Sequence, residues 1–275
     1  MKLGFQYTTL FHSIFIILLL SSSCLTRAQE VDDQKEFSYD ENTERGPSHW
    51  GSLHPEWEIC SSGKKQSPID IVNEVEVVPD LGRLHRYHKP SYATLVNRGH
   101  DITVKWNRAG YIQINGTIFE LKQVHWHSPS EHTLHGRRFE MEAHLVHQSK
   151  DNRIAVVGIL YKIGRPADTF LSMIEYELRS MIHTGDIERS IGVMDPNVIE
   201  FGSRDYYYRY MGSLTTPPCT EDVIWTIVGK VSTVTREQVN LMRKAVHDEA
   251  ETNARPIQQL NERTVQLYRP RHSEI

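Results

Sequence analysis

Apolar and polar residues alternate with a period of two through much of the middle of this 275-residue chain. Successive side chains of a strand point to opposite faces, so the alternation predicts strands that bury one face. Short polar turns such as Asn107-Arg108-Ala109-Gly110 separate the alternating runs. The pattern predicts strands at 101–106, 111–114, 117–127, 138–147, 153–162 and 222–230.

In two other segments the apolar residues recur with the period of an α-helix. Between residues 168 and 183, Leu171, Ile174 and Leu178 form one apolar stripe. A second helix is predicted to begin after Thr235, because Thr235 and Gln238 have the spacing of a capping box, and to end near residue 247. Strands outnumber helices, no composition break between about residues 49 and 256 suggests a linker, and no internal repeat is present, so the domain is taken as residues 46–275. We therefore predict one β-dominated α+β domain with peripheral helices.

The segment before residue 46 differs in composition from this predicted domain. Residues 1–28 have the layout of a cleaved signal peptide, with Lys2, an apolar run at 14–20 that is too short to span a bilayer, and Ala28 at the end. Residues 29–45 are acidic and poor in apolar groups, which predicts a flexible lead. The chain is expected to enter the secretory pathway without a membrane anchor, because no other apolar run is long enough to be one.

Cysteine usage and one sequon agree with that compartment. If Cys24 leaves with the signal peptide, Cys60 and Cys219 remain. An even pair in an oxidising compartment is expected to form one disulfide, although two buried free thiols would also satisfy the sequence. Asn115-Gly116-Thr117 is an N-glycosylation sequon on a predicted hairpin turn, where Asn115 is either glycosylated or unmodified.

Histidines at strand spacing provide the candidate chemistry. His125 and His127 are two residues apart in a predicted strand and share a face, and a neighbouring strand could add His144. Three neutral nitrogens with an open fourth position form the ligand set of a catalytic zinc site. Glu142 shares a face with His144 and could orient its imidazole. Because the chain has fifteen histidines, a surface pair produced by chance remains the alternative at this point.

The pair resembles motifs of two metalloprotein families. His125-X-His127 with Glu131 and Gly136 is similar to the first motif of the cupins. The glycine that the cupin motif has six residues before its first histidine is Phe119 here, and no second cupin motif follows. A cupin is therefore a minor alternative.

The second resemblance extends over residues 46–270. The chain resembles an α-type carbonic anhydrase, and most of all the secreted plant members. The matching segments are Ser48-His49-Trp50-Gly51, Gln66-Ser67-Pro68-Ile69-Asp70, Asn97-Arg98-Gly99-His100, residues 123–147, Gly212-Ser213-Leu214-Thr215-Thr216-Pro217-Pro218-Cys219 and Asn253-Ala254-Arg255-Pro256. The resemblance implies a twisted, mostly antiparallel sheet of about ten strands with short helices around it.

The resemblance also implies an activity, the reversible hydration of carbon dioxide to bicarbonate by zinc-bound hydroxide. His125, His127 and His144 match the Zn²⁺ ligands, and Gln123 and Glu142 match the residues that orient them. Thr215 matches the hydroxyl that orients the hydroxide, and Glu131 matches the carboxylate that accepts a hydrogen bond from Thr215. His100 matches the histidine that carries the product proton away.

Other expectations follow from the same resemblance. Carbon dioxide would rest beside Thr215 and Thr216 on an apolar wall formed by Val146, Val156, Leu214, Val223 and Trp225. Cys60 and Cys219 match the disulfide of extracellular members. Sulfonamide-type inhibitors are expected to bind, and the protein would be a monomer or a homodimer. With a formal net charge of −4 and no basic cluster, no nucleic-acid partner is expected.

Two questions remain open within the resemblance. Some plant proteins with this fold are storage or carbohydrate-binding proteins with weak or no activity, but the matched histidines and the Thr215–Glu131 pair are all present here. Secretion predicts an extracellular location in the apoplast. Some plant relatives instead reach the chloroplast stroma through the secretory route.

Overall fold

The computed structural model describes residues 36–72, 75–185, 187–201, 206–246 and 252–270. The predicted signal peptide and the first part of the predicted lead, residues 29–35, lie outside these ranges. The described residues form sixteen strands: Asp70–Ile71 (β1), Glu76–Val77 (β2), His85–His88 (β3), Ser91–Asn97 (β4), Ile102–Trp106 (β5), Gly110–Ile114 (β6), Thr117–His127 (β7), Thr133–Leu134 (β8), Arg137–Arg138 (β9), Met141–Ser149 (β10), Ile154–Ile163 (β11), Glu188–Met194 (β12), Tyr207–Ser213 (β13), Glu221–Val228 (β14), Ser232–Val234 (β15) and Gln266–Tyr268 (β16).

A single large sheet contains most of these strands. Its order is β12-β4-β5-β7-β10-β11-β14-β13-β16-β2, and β3, β6 and β15 pair beside this path. Most pairs are antiparallel, whereas β11 with β14, β11 with β15 and β16 with β2 are parallel. The predicted fold class is confirmed, with ten strands along the main path of the sheet in the described residues.

Helices are few and lie outside the sheet. They are Trp50–Leu53 (α1), Ile59–Ser62 (α2), Thr169–Thr184 (α3) and Arg236–Ala245 (α4), with 3-10 turns at Pro47–His49, Pro55–Trp57, Pro79–Leu81 and Pro196–Val198. The side chain of Asp168 accepts from the Leu171 N–H at the start of α3, and Gly185 ends that helix with a φ of 73°. The predicted capping box of Thr235 and Gln238 is present at the start of α4. No helix of the described residues is long and apolar enough to cross a membrane.

Side chains that alternate along the central strands place the larger apolar core on one face of the sheet and His144 on the other. Ala143 and Leu145 of β10 pack into the larger apolar cluster, together with the buried side chains of α3 and α4. Val146, on the opposite face of the same strand, packs against a second apolar cluster that contains Val156 and Trp225. His144 therefore faces away from the larger core, because it alternates with Ala143 and Leu145.

The structure corrects three predictions about segments. The strand predicted at 138–147 begins only at Met141, because Arg137–Arg138 form a separate short strand that pairs with β8. Nine further strands were not predicted: β1, β2, β3, β4, β8, β12, β13, β15 and β16. The flexible lead predicted at 29–45 is wrong for its described part, because Phe37 and Tyr39 are buried in an aromatic cluster with Trp50 and Trp57.

Candidate active site

Three imidazoles converge at the centre of the sheet. His125 and His127 lie on one face of β7, and His144 of β10 is directly opposite His125 across the strand pair. Their ring centroids are 5.0, 5.1 and 4.6 Å apart, and each side chain is at most 1% exposed. One nitrogen of each ring lies within 4.8 Å of the others. The group could therefore hold a single metal ion.

An acceptor oxygen orients each of these imidazoles from behind. Gln123 Oε1 lies 2.8 Å from His125 Nδ1, the Asn253 carbonyl lies 2.6 Å from His127 Nδ1, and Glu142 Oε1 lies 2.9 Å from His144 Nε2. Each acceptor requires a hydrogen on the nitrogen that it contacts. The remaining nitrogens, Nε2 of His125, Nε2 of His127 and Nδ1 of His144, are then lone-pair donors.

This donor set fits zinc. His127 Nε2 is buried and has no hydrogen-bond partner among the described atoms, which is unusual for a polar atom in a protein interior. Three neutral imidazoles, each oriented by an acceptor, match the ligands and the supporting contacts of catalytic zinc sites.

Glu131 lies beside the three imidazoles, in the turn that follows β7. Its Oε1 accepts the Arg255 N–H at 2.8 Å, and its Oε2 is 3.6 Å from His127 Nε2 and 3.9 Å from His144 Nδ1. Oε2 has no hydrogen-bond partner among the described atoms. The predicted hydrogen bond from Thr215 is thus not formed among the described atoms, and Oε2 is the oxygen that is free to accept one.

The loop that contains Thr215 and Thr216 is buried, and Trp225 links it to the imidazoles. Trp225 connects the two regions: its ring centroid is 4.8 Å from that of His144, and its Nε1 donates to the Ser213 carbonyl at 2.9 Å. The residues of the predicted apolar wall all belong to one apolar cluster: Val146, Val156, Leu214, Val223 and Trp225. The structure therefore brings the predicted wall together on the same side of the sheet as His144.

A chain of buried hydrogen bonds begins at Glu142 and was not predicted from the sequence. Glu142 Oε1 lies 2.7 Å from His132 Nδ1, and Tyr210 Oη lies 2.7 Å from His132 Nε2. Tyr210 in turn contacts Ser67 Oγ at 2.8 Å, and Ser67 Oγ accepts the Ser213 N–H at 3.0 Å. The carboxylate that orients His144 is therefore connected to the residue two positions before Thr215.

Electrostatics keep Glu142 ionised. Burial alone would raise the pKa of its carboxyl, but the neighbouring His132 and His144 hold that pKa well below its usual range. Glu142 Oε2 also accepts the main-chain N–H groups of Glu131 and His132, at 2.9 and 2.8 Å. An ionised carboxylate can accept all of these bonds at once, so Glu142 is a fixed support for His144.

Asn253 and Arg255 are further site residues to which the sequence analysis gave no role. Beyond its carbonyl contact with His127, Asn253 Nδ2 donates to the carbonyls of His100 and Trp126, at 2.9 and 3.1 Å. The guanidinium of Arg255 donates to Gln66 Oε1 and to two main-chain carbonyls. Burial lowers the pKa of Arg255 to about 10, an effect that Glu131 opposes. Their segment lacks a periodic pattern, so only the quoted motif Asn253-Ala254-Arg255-Pro256 pointed to it.

His100 lies in the turn between β4 and β5. Its side chain is only 2% exposed, its ring centroid is 5.0 Å from that of Phe37, and its Nε2 is 3.7 Å from Asp101 Oδ2. The structure thus places the predicted proton carrier beneath an aromatic ring from the N-terminal segment.

A disulfide between Cys60 and Cys219 is present, which confirms that prediction and excludes the free thiols. The Cys219 N–H donates to the Thr216 carbonyl at 2.9 Å, and the Cys219 carbonyl accepts from Gln66 Nε2 at 3.1 Å. The cross-link therefore holds the end of the loop that contains Thr215.

The fold and the three-imidazole group together define a β-sheet protein with a candidate zinc site. The family model described as eukaryotic-type carbonic anhydrase matches residues 45–269, and the chain belongs to this family. It is 56% identical to alpha carbonic anhydrase 7 of Arabidopsis thaliana over 94% of each chain.

Solved structures agree with the family assignment. A crystal structure of dioscorin complexed with ascorbate superposes with a TM-score of 0.84 and 44% identity, covering 86% of this chain and 99% of that one. An α-carbonic anhydrase from Thermovibrio ammonificans in complex with the inhibitor sulfanilamide has a TM-score of 0.75 and 38% identity, over 84% and 98% of the chains.

Proposed function

We propose that this protein catalyses the reversible hydration of carbon dioxide to bicarbonate and a proton, with Zn²⁺ held by His125, His127 and His144. The observation that supports this most directly is the geometry of the three buried imidazoles, each held from behind by an acceptor. When bound, zinc would lower the pKa of a water molecule from about 15.7 to about 7 and so supply a nucleophile near neutral pH.

The residues around the imidazoles would position the reactants. The apolar wall of Val156, Val223 and Trp225 excludes water and offers carbon dioxide a surface without competing hydrogen bonds. The Thr215 hydroxyl would donate to Glu131 Oε2, which has no other partner among the described atoms, and would accept from the attacking oxygen. This polarity would direct a lone pair of the nucleophile to the substrate carbon.

The product proton must then leave the site. We assign its transport to His100, because an imidazole with a pKa of about 6.5 both accepts and releases a proton near neutral pH. Asn253 supports this assignment, since it contacts both His127 and the main chain of His100.

Metal analysis and a hydration assay on the purified protein test the proposal. We expect one zinc per chain, carbon dioxide hydration, inhibition by a sulfonamide and loss of zinc and activity in His144→Ala. The alternative is a binding or storage role without catalysis. The similarity to dioscorin, which was solved in complex with ascorbate, supports this alternative. Full zinc occupancy with no hydration would favour that alternative. Loss of hydration in His144→Ala without loss of zinc would contradict the ligand assignment.

Location, assembly and glycosylation are part of the same proposal. We propose entry into the secretory pathway, with the apoplast or the chloroplast stroma as the destination, and a monomer or homodimer that is glycosylated at Asn115. A full-length fluorescent fusion in plant cells distinguishes the two compartments. Mass spectrometry of the purified protein before and after glycosidase treatment tests Asn115.

A further inference from the structure

A second polar pocket lies on the opposite face of strands β13 and β14 from the candidate zinc site. Tyr210 and Trp225, which are paired across these strands, face the imidazoles. The adjacent pair, Arg209 and Thr226, must point the other way because side chains alternate along a strand. Arg209 lines a pocket of about 330 Å³ on that side.

Arg209 is a buried cation without an anionic partner in the described parts of the chain. Its side chain is 7% exposed; its Nε donates to Thr226 Oγ1 at 2.9 Å, and its guanidinium carbon lies 5.0 Å from the centre of the Tyr207 ring. Its two terminal nitrogens donate to no described protein atom, and no described carboxylate forms an ion pair with it. Burial lowers the pKa of Arg209, which is the effect expected when no nearby carboxylate compensates for desolvation. The terminal nitrogens are not among the buried polar atoms that lack a partner, so they are open to the pocket and available to a ligand.

The rest of the pocket has the same electrostatic character. Arg83 and His85 line it beside Arg209, and no acidic residue is among the described residues that line it. The remaining polar groups come from Gln113 and from the exposed turn at Asn115. A pocket that is lined by the open guanidinium of Arg209 and by no described carboxylate favours an anion.

The guanidinium is held in a fixed orientation before any ligand arrives. The Tyr207 ring lies against one side of it, Thr226 holds Nε, and the Tyr207 hydroxyl is itself fixed by donation to the Gly82 carbonyl at 2.8 Å. Such a fixed planar fork matches the paired oxygens of a carboxylate or phosphate group.

The volume of the pocket indicates the size of the ligand. One water molecule occupies about 30 Å³ in the liquid, so this pocket is far larger than a bare inorganic anion requires. It lies at the lower end of the range of roughly 300–1,000 Å³ that is usual for small-molecule pockets. We propose that this pocket binds a small organic oxyanion, a carboxylate or phosphate ester of about monosaccharide size, with Arg209 as the residue that contacts the anionic group.

Calorimetric titration of the mature protein tests this proposal, after glycosidase treatment removes any glycan from Asn115, which lines the pocket. The probes are glucose 6-phosphate, gluconate, inorganic phosphate and, as the neutral control, glucose. Each titration is run with and without a saturating sulfonamide, which blocks the candidate zinc site. We expect glucose 6-phosphate or gluconate to bind more tightly than inorganic phosphate, and glucose not to bind. Comparison of the first two probes distinguishes a phosphate ligand from a carboxylate ligand.

Variants connect the binding to Arg209. Arg209→Met should weaken the preferred probe at least tenfold, and Arg209→Lys should weaken it less, because the charge remains but the fork is lost. The matched control is Arg86→Met: Arg86 also lies over an aromatic ring, but its terminal nitrogens already donate to the carbonyls of Asn197 and Ile199. This control should bind as the wild type does.

A further variant covers the case in which Arg209 is needed for folding. Arg83→Ala combined with His85→Ala changes two other residues that line the pocket and should weaken the same probe several-fold. The proposal is overturned if no organic anion binds, if Arg209→Met and the Arg83/His85 variant both bind normally, or if the sulfonamide abolishes binding.

Discussion

The ring of Phe37 covers the imidazole of His100, with their centroids 5.0 Å apart. Phe37 is held in place by Trp50 and Trp57, whose rings it meets edge-on at 5.2 and 6.4 Å. The residue assigned to proton transport is therefore separated from solvent by a segment that precedes the large sheet. This relationship predicts that Phe37 limits how fast His100 exchanges protons with the solvent.

Replacing Phe37 by Ala should raise the turnover rate in weak buffer, because His100 gains access to water. The substitution should also cost stability, about 3 kcal/mol as for other buried phenylalanines that are truncated to alanine. Stopped-flow hydration at low and high buffer concentration measures the first effect, and denaturant unfolding measures the second. Phe37→Leu is the control, because it retains an apolar cover. An unchanged rate in weak buffer, in a folded Phe37→Ala protein, would show that the cover does not limit proton release.

Removing the imidazole itself should have the opposite effect. His100→Ala is expected to slow hydration in weak buffer, because the proton then has no carrier, while the zinc content stays the same. Added imidazole should restore the rate by acting as a diffusible carrier. If the loss is equal at all buffer concentrations, His100 has a structural role instead.

Local sequence patterns indicated the histidine triad as a candidate, because its geometry is local to two strands, and the family resemblance then favoured it over a chance surface pair. The strand predicted at 117–127 is the strand observed, and a period of two places His125 and His127 on one face. The support of His127 by Asn253 joins residues 126 positions apart and follows no periodic pattern. Contacts of this kind depend on the tertiary path of the chain, so the histidines could be predicted from the residues and Asn253 could not.

The error at the N-terminal segment has a related cause. Composition alone describes residues 29–45 as acidic and polar, and that predicts exposure. Two aromatic residues are enough to fix part of the segment, because Phe37 and Tyr39 enter a cluster that Trp50 and Trp57 already form. Burial of isolated aromatics depends on a partner surface that composition does not reveal.

Glu142 should matter for metal affinity, because its carboxylate orients the His144 imidazole. Glu142→Gln removes the charge that orients His144, and losses of such supporting contacts typically lower metal affinity about 10- to 100-fold. Zinc affinity is measured by competition with a chromophoric chelator. Glu120→Gln is the matched control, because Glu120 is an exposed residue that contacts Lys122 on the outside of the same sheet. Equal affinities in the two variants would contradict the assigned role of Glu142.

Loss of the disulfide should destabilise the whole domain and the Thr215 loop in particular. Cys60 and Cys219 are 159 residues apart, and a loop of that length corresponds to about 5 kcal/mol in the chain-entropy model. The Cys60→Ser/Cys219→Ser double variant should therefore unfold at lower denaturant concentration and lose activity before it unfolds globally. Wild-type protein treated with a reductant is the comparison. Retained activity up to the global unfolding transition would show that the loop does not depend on the cross-link.

Acid should destabilise the protein through a histidine pair outside the candidate active site. His88 Nε2 lies 3.1 Å from His147 Nε2, and His147 Nδ1 contacts the Leu145 carbonyl at 2.9 Å. His147 therefore carries its hydrogen on Nδ1 and accepts from His88 through Nε2, which requires the His147 ring to be neutral. The Nδ1 of His88 is buried and has no partner among the described atoms that would stabilise a proton there. Burial, assisted by the charge of Arg86, lowers the pKa of His88 to about 3, and burial likewise holds the pKa of His147 well below its usual range.

The direction of the pH dependence follows from these shifts. In the unfolded chain a histidine titrates near 6.5, so between about pH 6.5 and about pH 3 the unfolded state binds more protons than the folded state. The free energy of unfolding should thus decrease as the pH falls through this range, with a contribution from His88 of about 3 kcal/mol at pH 4. Denaturant unfolding at pH 7, 6, 5 and 4 measures this slope. His88→Gln retains an N–H donor for His147 and should flatten the slope, whereas His85→Gln, an exposed residue of the same strand, should leave it unchanged. A slope that is the same in His88→Gln and in the wild type would place the acid sensitivity elsewhere.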